Sequence, residues 1–330
     1  MSIAKTTTRP TWLRFALLAA LGLGLCSHTP ARADSAPQDI VIGEGFALGW
    51  GQFFVADSQK TWQAQGLKPE VVTFASGRLA LDALVGGRIA IATAAETPVV
   101  FANLNGLPVR IIGTLNRHEP FDLVASTSIA TAKDIKGKRI GYAQGTNAHY
   151  YLGKLLAANG LTLADITAVN LSPGDFVTSL VNGSLDAFIW TEPHLSQALA
   201  QGGDKVHVIR SPELYETFSS IITLQSTIDE KPELLVKALK ALIAADSYIK
   251  ANPEQSIAIV AERIKLDPKV AAAFWDRTRF NLTLDKPAVV KLLQEEAEWA
   301  VANKLTRPDA KIPDFNAVVV TDLYERAVAK

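Results

Sequence analysis

The chain has 330 residues, and its 33 Lys and Arg are balanced by 33 Asp and Glu. Apolar residues make up 48% and charged residues 20%, which excludes a disordered or collagen-like chain and allows roughly two domain-sized units with a large core. Phosphate binding needs clustered Lys and Arg, so a neutral chain without a basic block argues against nucleic acid; its single cysteine excludes a disulfide framework and a multi-cysteine zinc site.

Residues 1–33 read as an export signal. Lys5, Arg9 and Arg14 supply the positive start, residues 15–25 are apolar, and Ala31-Arg32-Ala33 offers small residues for cleavage after Ala33. A membrane-spanning helix needs about 20 apolar residues, more than this run provides. Leu25 precedes Cys26 where lipid-attachment motifs want a small residue, which argues against a lipoprotein. Removing the segment takes Lys5, Arg9, Arg14 and Arg32 but no acid, so 33 less 4 leaves 29 basic residues against 33 acidic, a net charge of −4. The remaining chain has no cysteine, and its stability must come from the core. These features predict a soluble protein outside the cytoplasm.

Strands then alternate with helices. Residues 39–43 predict a strand, 50–65 a helix closed by Gly66, and 68–74 a strand. A helix over 78–85 stops at Gly86-Gly87, a strand follows at 89–93, a helix at 98–105 and a strand at 109–114. The pattern restarts with strands at 122–126 and 139–143, a helix at 147–159, a strand at 166–171, a helix at 176–181 and strands at 187–190 and 205–209. This alternation predicts an α/β protein with largely parallel sheets. Residues 84–91 and 180–187 also line up as helix end, tight stop and buried strand, which suggests two lobes on one plan. After Ser226, helical spacing runs through 230–250, 253–265, 267–278 and 285–304 with no strand between, so an all-helical extension is expected to pack on the first lobe.

The commonest catalytic patterns are absent. There is no G-x-S-x-G, no H-E-x-x-H, no dinucleotide fingerprint and no phosphate loop. No metal or cofactor is expected. The sequence instead offers three helix starts after strands: Ser76-Gly77-Arg78, Glu96-Thr97 behind Thr93, and Gln144 to Asn147 with Thr146 as cap. Unpaired N–H groups and the helix dipole suit such starts to an anion at strand ends. One helix end contributes only about 0.3–1 kcal/mol, so several must converge. Arg78 and Arg117 are candidate partners for an anionic head, and Trp50 and Trp190 for an aromatic wall. Glu192 is unfavourable beside an anion; it points away, caps the next helix or binds the ammonium of a zwitterion.

Several stretches in order resemble periplasmic solute-binding proteins of the aliphatic sulfonate, nitrate, taurine and thiamine-precursor type, which feed ABC importers. They are Gly66 to Val71, Ser76-Gly77 through Ile91, Gly106 to Arg110, Gly137 to Ile140, Gly145 to Tyr150, and Gly183 to Ala187 leading to Trp190 and Pro193. The resemblance covers residues 40–305. The chain departs from it at Ala90, where the family carries an acid, and at Trp190-Thr191-Glu192-Pro193, one residue longer than the family's Trp-x-Pro.

The resemblance implies a two-lobed, type II periplasmic-binding-protein fold with two crossovers. Lobe I would comprise 34–121 and 218–330, and lobe II 122–217. It implies a monomeric, non-catalytic periplasmic receptor that closes on a small anion and delivers it to a membrane permease and its ATPase. The expected ligand residues are Trp50, Ser76, Gly77, Arg78, Thr93, Glu96, Thr97, Arg117, Gln144, Thr146, Asn147, Trp190 and Glu192. The alternative is a protein that binds or makes a thiamine-pyrimidine precursor; such enzymes need a cytoplasmic address and a cysteine-rich motif, and the signal and the cysteine-free remainder oppose both. A signalling ectodomain is opposed by the lack of a downstream membrane segment.

Overall fold

The computed structural model describes residues 36–119 and 121–329. The expected signal and its cleavage site lie outside these residues. The chain begins with β1 (Gln38–Gly45), α1 (Gly51–Ser58), α2 (Thr61–Ala64), β2 (Leu67–Phe74), α3 (Gly77–Val85), β3 (Ile91–Ala95), α4 (Glu96–Leu104) and β4 (Val109–His118). It then passes to a second sheet through β5 (Asp122–Ser126), β6 (Arg139–Tyr142), α5 (Asn147–Ala158), β7 (Thr167–Asn170), α6 (Phe176–Val181), β8 (Ala187–Trp190), α7 (His194–Gly202) and β9 (Val206–Ile209). It returns with β10 (Thr217–Leu224), α8 (Gln225–Glu230), α9 (Pro232–Ala251), α10 (Pro253–Ile264), α11 (Pro268–Trp275), β11 (Thr278–Thr283), α12 (Lys286–Ala302), α13 (Phe315–Val318) and α14 (Asp322–Val328).

The first sheet has six strands in the order β11-β4-β10-β3-β1-β2, and the second has five in the order β7-β6-β8-β5-β9. Both are built alike. In the first, β1 pairs in parallel with β2 and β3, and β10 runs antiparallel beside β3. In the second, β6 pairs in parallel with β7 and β8, and β5 runs antiparallel beside β8. The lookalike segments 84–91 and 180–187 thus lead into β3 and β8, which hold equivalent places. Alternation in β1 sends Ile40 and Ile42 into the core under α9, while Val41 packs on the opposite face. Leu235, Leu239 and Leu242 cover one side of this sheet, and Leu84, Val99 and Leu293 the other. Each such buried side chain contributes about 1.5–3 kcal/mol.

Two expectations need correction. The helix expected over 50–65 is two helices, broken where Lys60 adopts a left-handed backbone with φ 56°. The extension after Ser226 is not all helical, because β11 adds an edge strand to β4. Its sequence, TRFNLT, has β-branched ends and half-buried alternation, but it follows helix-spaced residues. Only pairing with a strand far away in sequence makes it extended. Among the described residues, no helix is long and apolar enough to cross a membrane.

Candidate functional site

Parallel strands β1, β2 and β3 end at Gly45, Phe74 and Ala95, and the segments that follow them line one cavity. The other wall comes from the second sheet: Phe121, Thr146, Asn147, Trp190 and Thr191. The cavity volume is about 60 Å³. One water takes ~10–15 Å³ on that scale, so the space suits a small solute.

Small residues let this wall form. A Cβ on Gly77 would lie 3.0 Å from the Ala94 Cα and 3.1 Å from the Thr93 carbonyl oxygen. A Cβ on Gly45 would lie 2.6 Å from Trp50 Nε1, so glycine there makes room for the Trp50 indole. The Gly45 N–H donates to Thr93 Oγ1 at 2.8 Å, tying the ends of β1 and β3 together. Ser76 caps α3 by accepting from the Leu79 N–H at 3.4 Å. Thr146 precedes α5 with extended backbone, and its hydroxyl donates to the Ala143 carbonyl at 2.7 Å. The first turns of α3 and α5, one from each sheet, therefore border the same space, with unpaired N–H groups by construction.

Of the residues singled out from the sequence, Trp50, Ser76, Gly77, Arg78, Thr146, Asn147 and Trp190 line the cavity. Six others do not. Thr93 is fully buried behind it in its bond to Gly45. Glu96 and Thr97 are fully buried because α4 starts two residues earlier than expected, drawing both into its first turn. Arg117 is turned away, paired with Glu216 and lying over the Phe218 ring. Gln144 lines a neighbouring cavity of about 440 Å³ that shares Arg78 and Pro98 with the first. Glu192 accepts from the Ser196 N–H at 3.1 Å and its hydroxyl at 2.9 Å, so it caps α7.

The structure adds residues that the sequence reading passed over, chiefly His118, Ser219, Phe274 and Arg277. Arg277 is mostly covered and lies over the Phe274 ring. Its Nη1 is 3.6 Å from the Asp122 carboxylate and makes no hydrogen bond. Arg210 approaches the same carboxylate at 3.9 Å, so two cations surround one buried acid. Burial pushes Asp122 above the usual carboxylate range, and the two guanidiniums pull it back. Burial, helped by Arg277 and Arg279, pushes His118 down to about 3, so its ring is neutral. The Trp190 indole N–H and His118 Nδ1 are buried without partners. The wall thus combines a guanidinium, an uncommitted N–H donor, hydroxyls and two helix starts with an aromatic surface. Among the described residues, no group of three His, Cys, Asp or Glu could hold a metal ion.

The family model described as NMT1/THI5 like matches residues 50–256. The chain belongs to that family. As a member, it is similar to the Escherichia coli (strain K12) protein named "Putative aliphatic sulfonates-binding protein", with 26% identity over 295 residues, 87% of this chain and 91% of the relative. It is also similar to the 4-amino-5-hydroxymethyl-2-methylpyrimidine phosphate synthase of Candida albicans (strain WO-1), at 29% identity over 191 residues, 52% of this chain and 56% of the relative. The solved structure of the alkanesulfonate-binding protein SsuA from Xanthomonas axonopodis pv. citri bound to MOPS superposes with a TM-score of 0.75 at 23% identity, covering 87% of this chain and 99% of that one. The fold is that of periplasmic binding proteins.

Proposed function

We propose that this protein is the extracytoplasmic solute-binding component of an ABC importer and captures a small organic anion of the sulfonate class. The observation that carries this reading is the convergence of the α3 and α5 starts, Arg277 and Trp190 on one small cavity between two similarly built sheets. Arg277 reaches this cavity beside Asp122, which the more exposed Arg210 also approaches. The aromatic wall of Phe46, Trp50, Phe121 and Phe274 suits a short organic group attached to the anionic head.

In this reading the six-stranded and five-stranded sheets are the cores of two lobes joined between β4 and β5 and between β9 and β10. The anion lies on the first turns of α3 and α5 and touches both lobes only when they are closed, so binding shifts an open–closed equilibrium. The closed form docks on the permease. In this reading the protein carries out no chemistry, and the one imidazole of the wall, kept neutral by burial, sits near arginines. The 26% identity to a sulfonate-type binding protein over nearly the whole chain, against 52% of the chain for the synthase, supports the receptor reading.

Thermal shift and calorimetry across alkanesulfonates, taurine, nitrate, aromatic carboxylates and thiamine pyrimidines test the proposal. Sulfonates are expected to raise the melting temperature by mass action. Stabilisation by a pyrimidine phosphate alone, with no response to any sulfonate, would overturn it.

A further inference from the structure

Behind the cavity two carboxyl groups meet in the interior. Glu96 is the first residue of α4 and Glu296 lies on α12; both are fully buried. Glu96 accepts from the Thr217 hydroxyl at 2.7 and 2.9 Å, from the Phe218 N–H at 3.3 Å and from the Tyr215 hydroxyl. The same Tyr215 oxygen lies 3.3 Å from Glu296 Oε1. A phenol has one proton and cannot serve both carboxylates. The cations nearby are engaged elsewhere: Lys291 with Glu295, Arg117 with Glu216, and Lys154 over the Tyr150 ring. The other groups facing the pair are Tyr150, the Thr97 hydroxyl and, one residue from Tyr150, a His149 that burial keeps neutral. None of these brings a positive charge, and two ionised carboxylates in such a pocket repel, so the pair must hold a proton.

This pair sits on the seam between the two sheets. Tyr215 packs edge-on against Tyr150 of α5 at 5.2 Å, and Trp299 of α12 packs edge-on against Tyr150 and His149, both at 5.1 Å. Thr217 also accepts from Asn147 Nδ2 at 3.1 Å, and Asn147 lines the cavity. A directed chain of bonds therefore runs from the cavity wall through Thr217 to Glu96.

We propose that Glu96 and Glu296 share one proton and form a proton-dependent latch on this seam, with Glu96 acting as a positioning residue for Asn147 through Thr217. While the proton is held, α4, α12 and the segment carrying Tyr215 and Thr217 pack together and Asn147 is braced. Once it is lost, two negative charges face each other away from bulk solvent, the packing of α12 on α5 weakens and the wall at the start of α5 loosens. Burial, followed by the charge of Glu96, raises Glu296 well above the usual carboxylate range, the direction that favours a retained proton. The latch rests on the proposed function only for its consequence on binding.

Isotope-edited infrared spectroscopy of the ligand-free protein carrying labelled glutamate tests the shared proton. At neutral pH the wild type is expected to show the carbonyl stretch of an un-ionised acid, which fades as pH rises and is missing from Glu296→Gln. Amide hydrogen exchange at 147–150, corrected for its intrinsic pH dependence and compared with α9, is expected to speed up about tenfold across the same titration in the wild type and to stay flat in Glu296→Gln. A wild type without the acid band overturns the shared proton. A band that titrates while exchange at 147–150 does not respond overturns the latch. Both wild-type readouts stand even if the variant fails to fold. Neither uses a ligand, so failure of sulfonate binding in calorimetry would count against the proposed function and not against the latch.

Discussion

Arg78 Nη1 donates to the Gln144 carbonyl oxygen at 3.0 Å, reaching from the first turn of α3 on one sheet to the loop before α5 on the other. Gly145 makes the approach possible, because a Cβ there would collide with the Arg78 guanidinium and its φ of +74° disfavours any side chain. The bond closes one side of the cavity and separates it from its larger neighbour. Removing it would open the cavity without touching the core.

Arg78→Ala is therefore expected to weaken sulfonate binding by about 1 kcal/mol, roughly 5- to 10-fold, and to leave the melting temperature almost unchanged. The side chain is 40% exposed, and its pairing with Asp82 at 3.5 Å adds little to stability. Calorimetry beside a thermal melt checks this. Unchanged affinity would mean that the bridge does not act on the ligand.

Gly77→Ala should act on the fold as well as on binding. The added methyl meets the Ala94 backbone at 3.0 Å and the Thr93 carbonyl at 3.1 Å, neither of which is a flexible side-chain end. We expect a loss of about 1–3 kcal/mol in urea unfolding, as for other overpacked positions, together with weaker binding as α3 shifts from β3. Wild-type unfolding would show that the strand gives way at no cost.

Arg277→Met and Trp190→Phe separate charge from donor. The first removes the guanidinium but keeps an apolar chain; it is expected to cost about 1.5–3 kcal/mol in anion affinity, with a smaller loss of stability because Arg210 still faces Asp122. The second keeps a ring against Phe121 and Phe176 but loses the N–H, and about 0.5–1.5 kcal/mol of affinity. Retained affinity in both variants would move the anion off this wall.

His118 makes stability depend on acid in a definite direction. Its folded value of about 3 lies below the ordinary 6.5, so between these values the unfolded chain binds the extra proton. Its contribution to stability is complete above about pH 6.5 and is lost as pH falls toward 3. The gap in unfolding free energy between the wild type and His118→Gln is thus expected to shrink by about 1–2 kcal/mol from pH 6.5 to 5. Urea titrations of both proteins measure it, and a constant gap would show that the ring titrates normally. Because the ring is neutral throughout, it should give no gain in affinity for a non-titrating sulfonate between pH 8 and 6.

Much of the alternation of strands and helices was legible because it is written locally. Gly66, Gly106 and Gly160 stop their segments with positive φ, and Ser76, Asp267 and Asp285 cap the helices they precede. The strand at 217–224 gave no such signal: TFSSIITL mixes hydroxyl and apolar residues without regular alternation, and only its place between β3 and β4 explains it. In the site, helix starts were readable as Ser76-Gly77 and Thr146-Asn147. Arg277 was not, since it sits at the end of a helix-spaced stretch and reaches the cavity only because β11 turns there.

From the order of residues alone came the α/β class, the repeated plan of the two halves, the lack of common catalytic patterns and the helix starts suited to an anion. Each depends on backbone preferences and on apolar spacing within a few positions. Tertiary structure alone decided which polar groups share a wall. It drew Glu96 inward to meet Glu296, turned Arg117 outward to Glu216, and brought Arg277 to the same cavity as Trp190. Those outcomes depend on packing between residues far apart in the chain, where burial and the count of available protons and charges choose among partners that look equivalent in sequence.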